Sequence, residues 1–335
     1  MPRKQIAIVT GGAGFIGSHL VDLLISLDFH VRVIDNFSGG RESNLIEHVS
    51  NPNLEIEELD IRHVQSDSNL FKGVDTVYHL AGIGDIVPSI EQPAEYMDVN
   101  VQGTIRVLES TRASGCRRLI YASSSSCYGL ASTPTDESHE INPMYPYALS
   151  KYLGEQAVFH WDQVYGLQSN SVCIFNAYGP RVRTRGVYGA VFGVFFKQRL
   201  MNAPLTIVGD GTQCRDFVYV TDVANAFYLA SKSFAHGERF NIGAGMPQSI
   251  NTLATLIGGS IQYIPKRPGE PEITWANTEK ARKLLGWLPT VPFAEGVGKM
   301  LLDIEQWKDA PLWDAATISM ATEKWFYYMR TRDDV

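Results

Sequence analysis

Long apolar runs are missing from this chain, and no stretch reaches the roughly 20 residues that a membrane-crossing helix requires. Cysteine is scarce. Its four residues, Cys116, Cys127, Cys173 and Cys214, show neither close pairing nor metal-ligand spacing, which fits a reduced, cytoplasmic chain rather than a disulfide scaffold. The eight histidines are scattered, with no His-Glu-x-x-His and no carboxylate triad, and no metal is expected. Positive charge is in deficit as well. The formal net charge is −7, and no basic stripe or lysine-rich tail offers a footprint for nucleic acid. The basic start, Met1-Pro2-Arg3-Lys4, precedes an apolar run too short for a secretory signal, which is expected to be a first strand.

The 335 residues, 44% hydrophobic and 19% charged, are enough for a large core in one two-lobed unit or two domains. Strand-like runs (Gln5–Thr10, His30–Ile34, Thr76–Leu80, Arg118–Ala122) alternate with helical ones (Ile16–Leu27, Ala94–Ala113) through the first half. That alternation is the mark of a parallel sheet covered by helices on both faces. After about Gly179 the pattern gives way to shorter runs and many turn residues. The expected division is a sheet domain over 1–178, with some later elements returning to it, and a smaller α/β lobe over 179–335. The cluster Trp325-Phe326-Tyr327-Tyr328 reads as core or lobe packing ahead of an interface.

Between the first strand and helix stands Gly11-Gly12-Ala13-Gly14-Phe15-Ile16-Gly17. Backbone N–H groups at a helix N-terminus favour an anion, and glycines allow close approach, so this turn is suited to a pyrophosphate. The spacing Gly-x-x-Gly-x-x-Gly is a variant of the dinucleotide fingerprint of Rossmann-type sheets. Asp35, at the end of the second apolar run, is placed to accept the adenine ribose hydroxyls and repel a 2′-phosphate, favouring NAD over NADP. Arg41 lies near enough in sequence to leave NADP a minor alternative.

Downstream come Ser123-Ser124-Ser125-Ser126-Cys127-Tyr128-Gly129 and Tyr147-Ala148-Leu149-Ser150-Lys151. Tyr147 and Lys151 share one helical face, so the ammonium is expected to stabilise a phenolate and make Tyr147 a general base near neutral pH. The Ser124 hydroxyl is expected to share the proton traffic at a substrate alcohol or carbonyl.

These elements, with Asp35-Asn36, Asp60-Ile61, Leu80-Ala81-Gly82, Asn100 before Gly103-Thr104, Phe175–Pro180, Arg215–Val220 and Arg267–Glu270, occur in the order found in a known family. From Gln5 to about Leu302 the chain resembles the extended short-chain dehydrogenase/reductases of the nucleotide-sugar epimerase/dehydratase group, closest to the UDP-sugar 4-epimerases. The resemblance implies a Rossmann-type doubly wound sheet with a smaller substrate lobe, and NAD as cofactor. It implies NAD contacts from Gly11, Gly14, Phe15, Ile16, Gly17, Asp35, Asn36, Asp60, Ile61, Leu80, Ala81, Gly82, Asn100, Ser123, Tyr147 and Lys151. Catalysis falls to Ser124, Tyr147 and Lys151. Ser124, Ser125, Ser126, Tyr147, Asn176, Arg215, Arg267, Glu270 and Thr274 would face the UDP-sugar, the arginines on the diphosphate and Glu270 on its ribose. A homodimer pairing the helices of 94–113 and 147–165 is implied too.

The serine run bears on the reaction. Related 4,6-dehydratases carry Asp-Glu after the catalytic hydroxyl residue, and related decarboxylases a glutamate two residues before the Tyr-Gly tyrosine. Here those positions are Ser125 and Ser126, which cannot act as carboxylates, so C4 epimerisation through a 4-keto sugar is the expected chemistry. A non-catalytic sensor would be expected to lose the three hydroxyl and amine groups that this chain keeps. By the same resemblance the small Thr274 leaves room for an N-acetyl group, favouring a GlcNAc/GalNAc or Glc/Gal pair. Arg181, Arg183 and Arg185 keep a uronate open. Cys173 stands where relatives often carry Arg, and Gly84 where some hexose epimerases carry Lys.

Overall fold

The computed structural model describes residues 3–183, 191–266 and 269–329; Arg185 and Arg267 lie outside them. Thirteen strands are described: β1 (Ile6–Thr10), β2 (His30–Asp35), β3 (Leu54–Glu58), β4 (Thr76–His79), β5 (Arg118–Ser124), β6 (Gln168–Ile174), β7 (Asn176–Tyr178), β8 (Leu205–Val208), β9 (Cys214–Arg215), β10 (Phe217–Tyr219), β11 (Glu238–Ile242), β12 (Gln248–Ser249) and β13 (Ile261–Ile264). The α-helices are α1 (Phe15–Ser26), α2 (Ile86–Glu91), α3 (Pro93–Met97), α4 (Thr104–Ala113), α5 (Pro146–Tyr165), α6 (Val191–Leu200), α7 (Val220–Lys232), α8 (Ile250–Ile257), α9 (Glu279–Leu285), α10 (Phe293–Leu302), α11 (Ala315–Ala321) and α12 (Glu323–Tyr328).

Seven strands form one sheet in the order β11-β6-β5-β4-β1-β2-β3, with every pairing parallel. The central strands are apolar on both faces because helices cover both: Ala7, Ile8, Val9, Val31, Val33, Val77 and Ile120 are fully buried. On one face Leu20, Val21 and Leu24 of α1 meet Val223, Phe227 and Ala230 of α7. On the other, Val107 and Leu108 of α4 and Val158 of α5 close over Ile8, Val77 and Leu119. The strand order reverses between β1 and β4, which opens a crevice at the carboxyl ends of the strands.

A second core lies beside the sheet, where Tyr178 stacks on Phe192 at 5.0 Å and Phe217 on Phe293 at 5.1 Å. Two late elements, α7 and β11, belong to the sheet layer, so the chain passes between the two cores more than once.

The single helix expected over 94–113 is interrupted. A wide π-helical turn, Asp98–Gly103, separates α3 from α4. Such a turn inserts an extra residue and re-aims a side chain. Here it buries Asn100, whose amide donates to Ile83 O (3.0 Å) and Ser150 Oγ (2.9 Å) and whose Oδ1 accepts from Ile83 N (2.9 Å).

Candidate active site

Three backbone segments meet beneath the crevice. Gly11 has φ +70°, and a Cβ there would lie 2.7 Å from Ala81 N, while one on Gly17 would lie 2.1 Å from Gly11 O. The glycines therefore bring the end of β1, the start of α1 and the Leu80-Ala81-Gly82 turn into contact. α1 has no side-chain cap and no acid in its first turn, which leaves its first N–H groups, around Phe15 and Ile16, to an anion. A Cβ on Gly14 would meet only the Gly11 carbonyl, at 3.1 Å, so the cradle is open on that side.

Asp35 ends β2 with its carboxylate accepting from Ala13 N (2.9 Å) and Phe37 N (2.8 Å). Burial pushes its carboxyl up. Each oxygen keeps acceptor capacity for a ribose hydroxyl. Arg41 points elsewhere, donating to the carbonyls of Arg181 and Val182 at 3.3 Å. Asn36 donates to Asp60 at 2.9 Å, and Asp60 is held by Arg62, whose hydrogen bonds keep its carboxyl well below the usual range. Ile61 is buried against Gly103. Among the described residues Ser123 Oγ is buried with no partner of hydrogen-bond geometry, although the Cys127 thiol comes near. An open helix terminus, an acceptor at the end of β2 and an orphan hydroxyl at the end of β5 together fit a dinucleotide lying across the switch point.

Across the crevice, Tyr147 and Lys151 sit one turn apart on α5. Ser124, the last residue of β5, lies near the Tyr147 phenol, where its hydroxyl favours the phenolate. Ser126 likewise lies near the phenol of Tyr145, whose ring lies parallel to that of Tyr147 at 6.5 Å. The expected stabilisation of phenolate by Lys151 is not what governs Tyr147 here. Desolvation dominates and pushes the phenol above its ordinary value, with the Asp85 charge adding to the rise. Lys151 is itself buried, its pKa is brought down to about 8 by desolvation, and its ammonium lies 4.4 Å from the centre of the Tyr121 ring.

Behind these groups runs a hydrogen-bonded chain with a fixed sense. Thr104 Oγ1 donates to Asn100 O (2.7 Å), so His79 Nε2, 2.9 Å away, carries a proton and donates to Thr104. His79 Nδ1 then accepts from Thr10 Oγ1 (2.7 Å), which in turn accepts from Ala81 N (3.2 Å). Burial brings His79 down to about 3 and keeps it neutral. Through Asn100 and Ser150 the chain reaches the Tyr147 carbonyl, which ties the loop after β4 to the first turn of α5.

A cleft of about 420 Å³ is lined among others by Asp85, Asn176, Arg215, Phe217, Glu270 and Trp325, the last of which also packs on Tyr145. Arg215 and Glu270 are brought to 3.9 Å of each other. Thr274 does not line the cleft; its hydroxyl donates to Asn176 Oδ1 (2.7 Å), which turns the Asn176 NH₂ the other way. Ser125 and Ser126 form the short helical turn after β5.

A model of the NAD dependent epimerase/dehydratase family matches residues 7–243, the stretch that carries the glycine cradle, the tyrosine helix and most of the cleft. The chain belongs to that family. Members with this Rossmann-type sheet are NAD-dependent, and the cradle described above suits that cofactor. The UDP-glucose 4-epimerase of Mycolicibacterium smegmatis is 35% identical over 87% of this chain and 96% of its own length. A UDP-N-acetylglucosamine 4-epimerase from Methanobrevibacter ruminantium, solved with UDP-N-acetylmuramic acid, is 30% identical with TM-score 0.83, covering 91% of this chain and 98% of its own. The UDP-glucuronic acid 4-epimerase of Bacillus cereus, solved with UDP-glucuronic acid and NAD, is 32% identical with TM-score 0.84, covering 90% and 99%.

Within this member of the epimerase/dehydratase family, two of the arginines singled out in the sequence, Arg181 and Arg183, are engaged. Arg181 pairs with Asp22 at 2.7 Å and Arg183 with Asp85 at 2.6 Å. Cys173 is buried with Tyr128, Phe175 and Ala276, and the nearby guanidinium comes instead from Arg239, paired with the buried Glu155. Asp85, Tyr145 and Trp325 were not found from sequence. Tyr145 and Asp85 are neighbours of residues already singled out, whereas Trp325 lies far down the chain, and only tertiary packing brings it to the cleft.

Proposed function

We propose that the protein interconverts the C4 epimers of a UDP-hexose whose sugar is uncharged, keeping NAD bound through the cycle. The observation that carries this reading is the Ser124–Tyr147–Lys151 arrangement beside the glycine cradle, with Ser125 and Ser126 where an eliminating or decarboxylating relative needs an acid. NAD, when bound, supplies the two-electron acceptor and donor and a positively charged ring. Tyr147 takes the C4 hydroxyl proton with Ser124 bonded to the same oxygen, and Lys151 supplies charge behind it. Because desolvation pushes the Tyr147 phenol up, it needs that neighbouring positive charge to ionise near neutral pH. Asn176, Arg215 and Arg267 hold the nucleotide diphosphate and Glu270 accepts from its ribose hydroxyls.

Asp85 favours an uncharged sugar. Its carboxylate lines the cleft and is already matched by Arg183, so a C5 carboxylate would add a second anion there. Proton NMR on the protein incubated with UDP-glucose, UDP-N-acetylglucosamine and UDP-glucuronate tests the reading. Galacto-configured products are expected from the first two. Turnover of UDP-glucuronate alone, or a net-oxidised or net-reduced product, would overturn it.

The protein is further proposed to work as a homodimer through α4 and α5 and in the cytoplasm. Exposed Leu149, Leu153 and Val164 on α5 support the first, and four free cysteines the second.

A further inference from the structure

The resemblance that identifies the nucleotide-sugar site ends near Leu302, yet one wall of the cleft is made by a residue beyond it. Trp325 on α12 lines the cleft together with Asp85, Ile86 and Val87, and is 3% exposed. It is held there from several sides. α12 packs on α2, Lys324 pairs with Glu91 at 3.1 Å, and the Met329 methyl lies 3.0 Å from where a Gly269 Cβ would be, one residue before Glu270. The Trp325 ring lies 5.9 Å from that of Tyr145, which is itself parallel to Tyr147. Trp325 is thus shared between the wall of the cleft that Arg215 and Glu270 also line and the tyrosine pair.

We propose that Trp325 is a sugar-binding residue of this site, an aromatic wall against which the hexose ring lies, supplied by a C-terminal helix outside the part shared with the family. The inference rests on the UDP-hexose reading above. The chemistry suits a sugar that must turn over in place. The part of the indole that reaches the cleft can take the C–H side of a hexose without a directional hydrogen bond, so it can hold both epimers and the 4-keto form between them.

The test is a comparison of UDP with a complete UDP-sugar. Calorimetry on Trp325→Ala should show UDP affinity within about twofold of the unaltered protein but UDP-glucose affinity lower by about ten- to a hundredfold, with KM rising in step. Trp325→Phe should recover most of the loss. Tyr327→Ala, altering an exposed ring of the same helix, should change neither. If Trp325→Ala lowers the melting temperature, Trp325→Leu, which keeps apolar packing against Tyr145, should give the same split. UDP and UDP-glucose weakening in parallel, or neither weakening, would show that Trp325 merely props α12 and would overturn the proposal. Failure of the unaltered protein to turn over any UDP-sugar would sink the proposed reaction instead, and the calorimetric split would still decide on Trp325.

Discussion

Lys151 carries the most testable physics at the scale of single residues. Its pKa of about 8 lies below the ordinary 10.5 because the ammonium is desolvated. As pH rises through about 8 the charge behind Tyr147 is lost, so kcat is expected to fall on that limb, and a flat profile from pH 7 to 9.5 would exclude Lys151 as the charge that matters. The effect on stability has the opposite sign. Between about 8 and 10.5 the unfolded chain binds the proton that the folded one has released, so stability rises with pH across that window and the penalty is complete below it. Lys151→Met should therefore melt higher than the unaltered protein at pH 7, with the gap closing above pH 10, while kcat drops by about 10²-fold or more. Scanning calorimetry at the two pH values checks the first statement and a progress curve the second. Tyr147→Phe should cut turnover by roughly 10²–10⁴-fold while UDP-sugar affinity stays near its original value, the pattern of a group acting in the transition state. Near-normal epimerisation by that variant would refute the proton relay.

At the scale of elements, the turn between β1 and α1 is the piece with least freedom. A methyl on Gly17 would sit 2.1 Å from Gly11 O, a backbone atom that cannot swing aside. Gly17→Ala should destabilise the protein by about 1–3 kcal/mol and release NAD, both read by the absorbance and melting curve of the purified variant. This turn was legible because glycine spacing, strand and helix periodicity and the acid at Asp35 are local signals that agree. The wide turn at Asp98–Gly103 was not, since an apolar stripe at helical spacing looks alike whether or not one extra residue is wound in. Nor was the chain from Ala81 through His79 to Asn100, which joins β1, β4 and α4 by contacts between residues 25 to 71 positions apart. Thr274 shows the same limit. Its size could be read from the sequence, but its hydrogen bond to Asn176 depends on a strand and a loop that meet across 98 positions.

For the whole molecule, the remaining question is what the outer face of α5 does. Tyr147 and Lys151 look inward, while Leu149, Leu153 and Val164, spaced at helical intervals on another stripe, are 38%, 39% and 53% exposed. Tyr165 at the end of the helix is half exposed, with Arg112 of α4 4.9 Å from its ring centre. An apolar stripe on the helix that carries the catalytic tyrosine is costly to leave in water, and a two-fold pairing of α4 and α5 with a second copy would cover it with the same residues from both sides. Light scattering at micromolar concentration should therefore return twice the 37.2 kDa of one chain. Leu149→Glu combined with Leu153→Glu should return the single-chain mass, because paired carboxylates would face each other across the axis. Since the opposite face of α5 positions Tyr147, the dissociated variant is expected to lose turnover more than nucleotide affinity, and specific activity of the unaltered protein should fall on dilution below its dimer dissociation constant. A single-chain mass for the unaltered protein, with activity independent of dilution, would place the working site in the monomer.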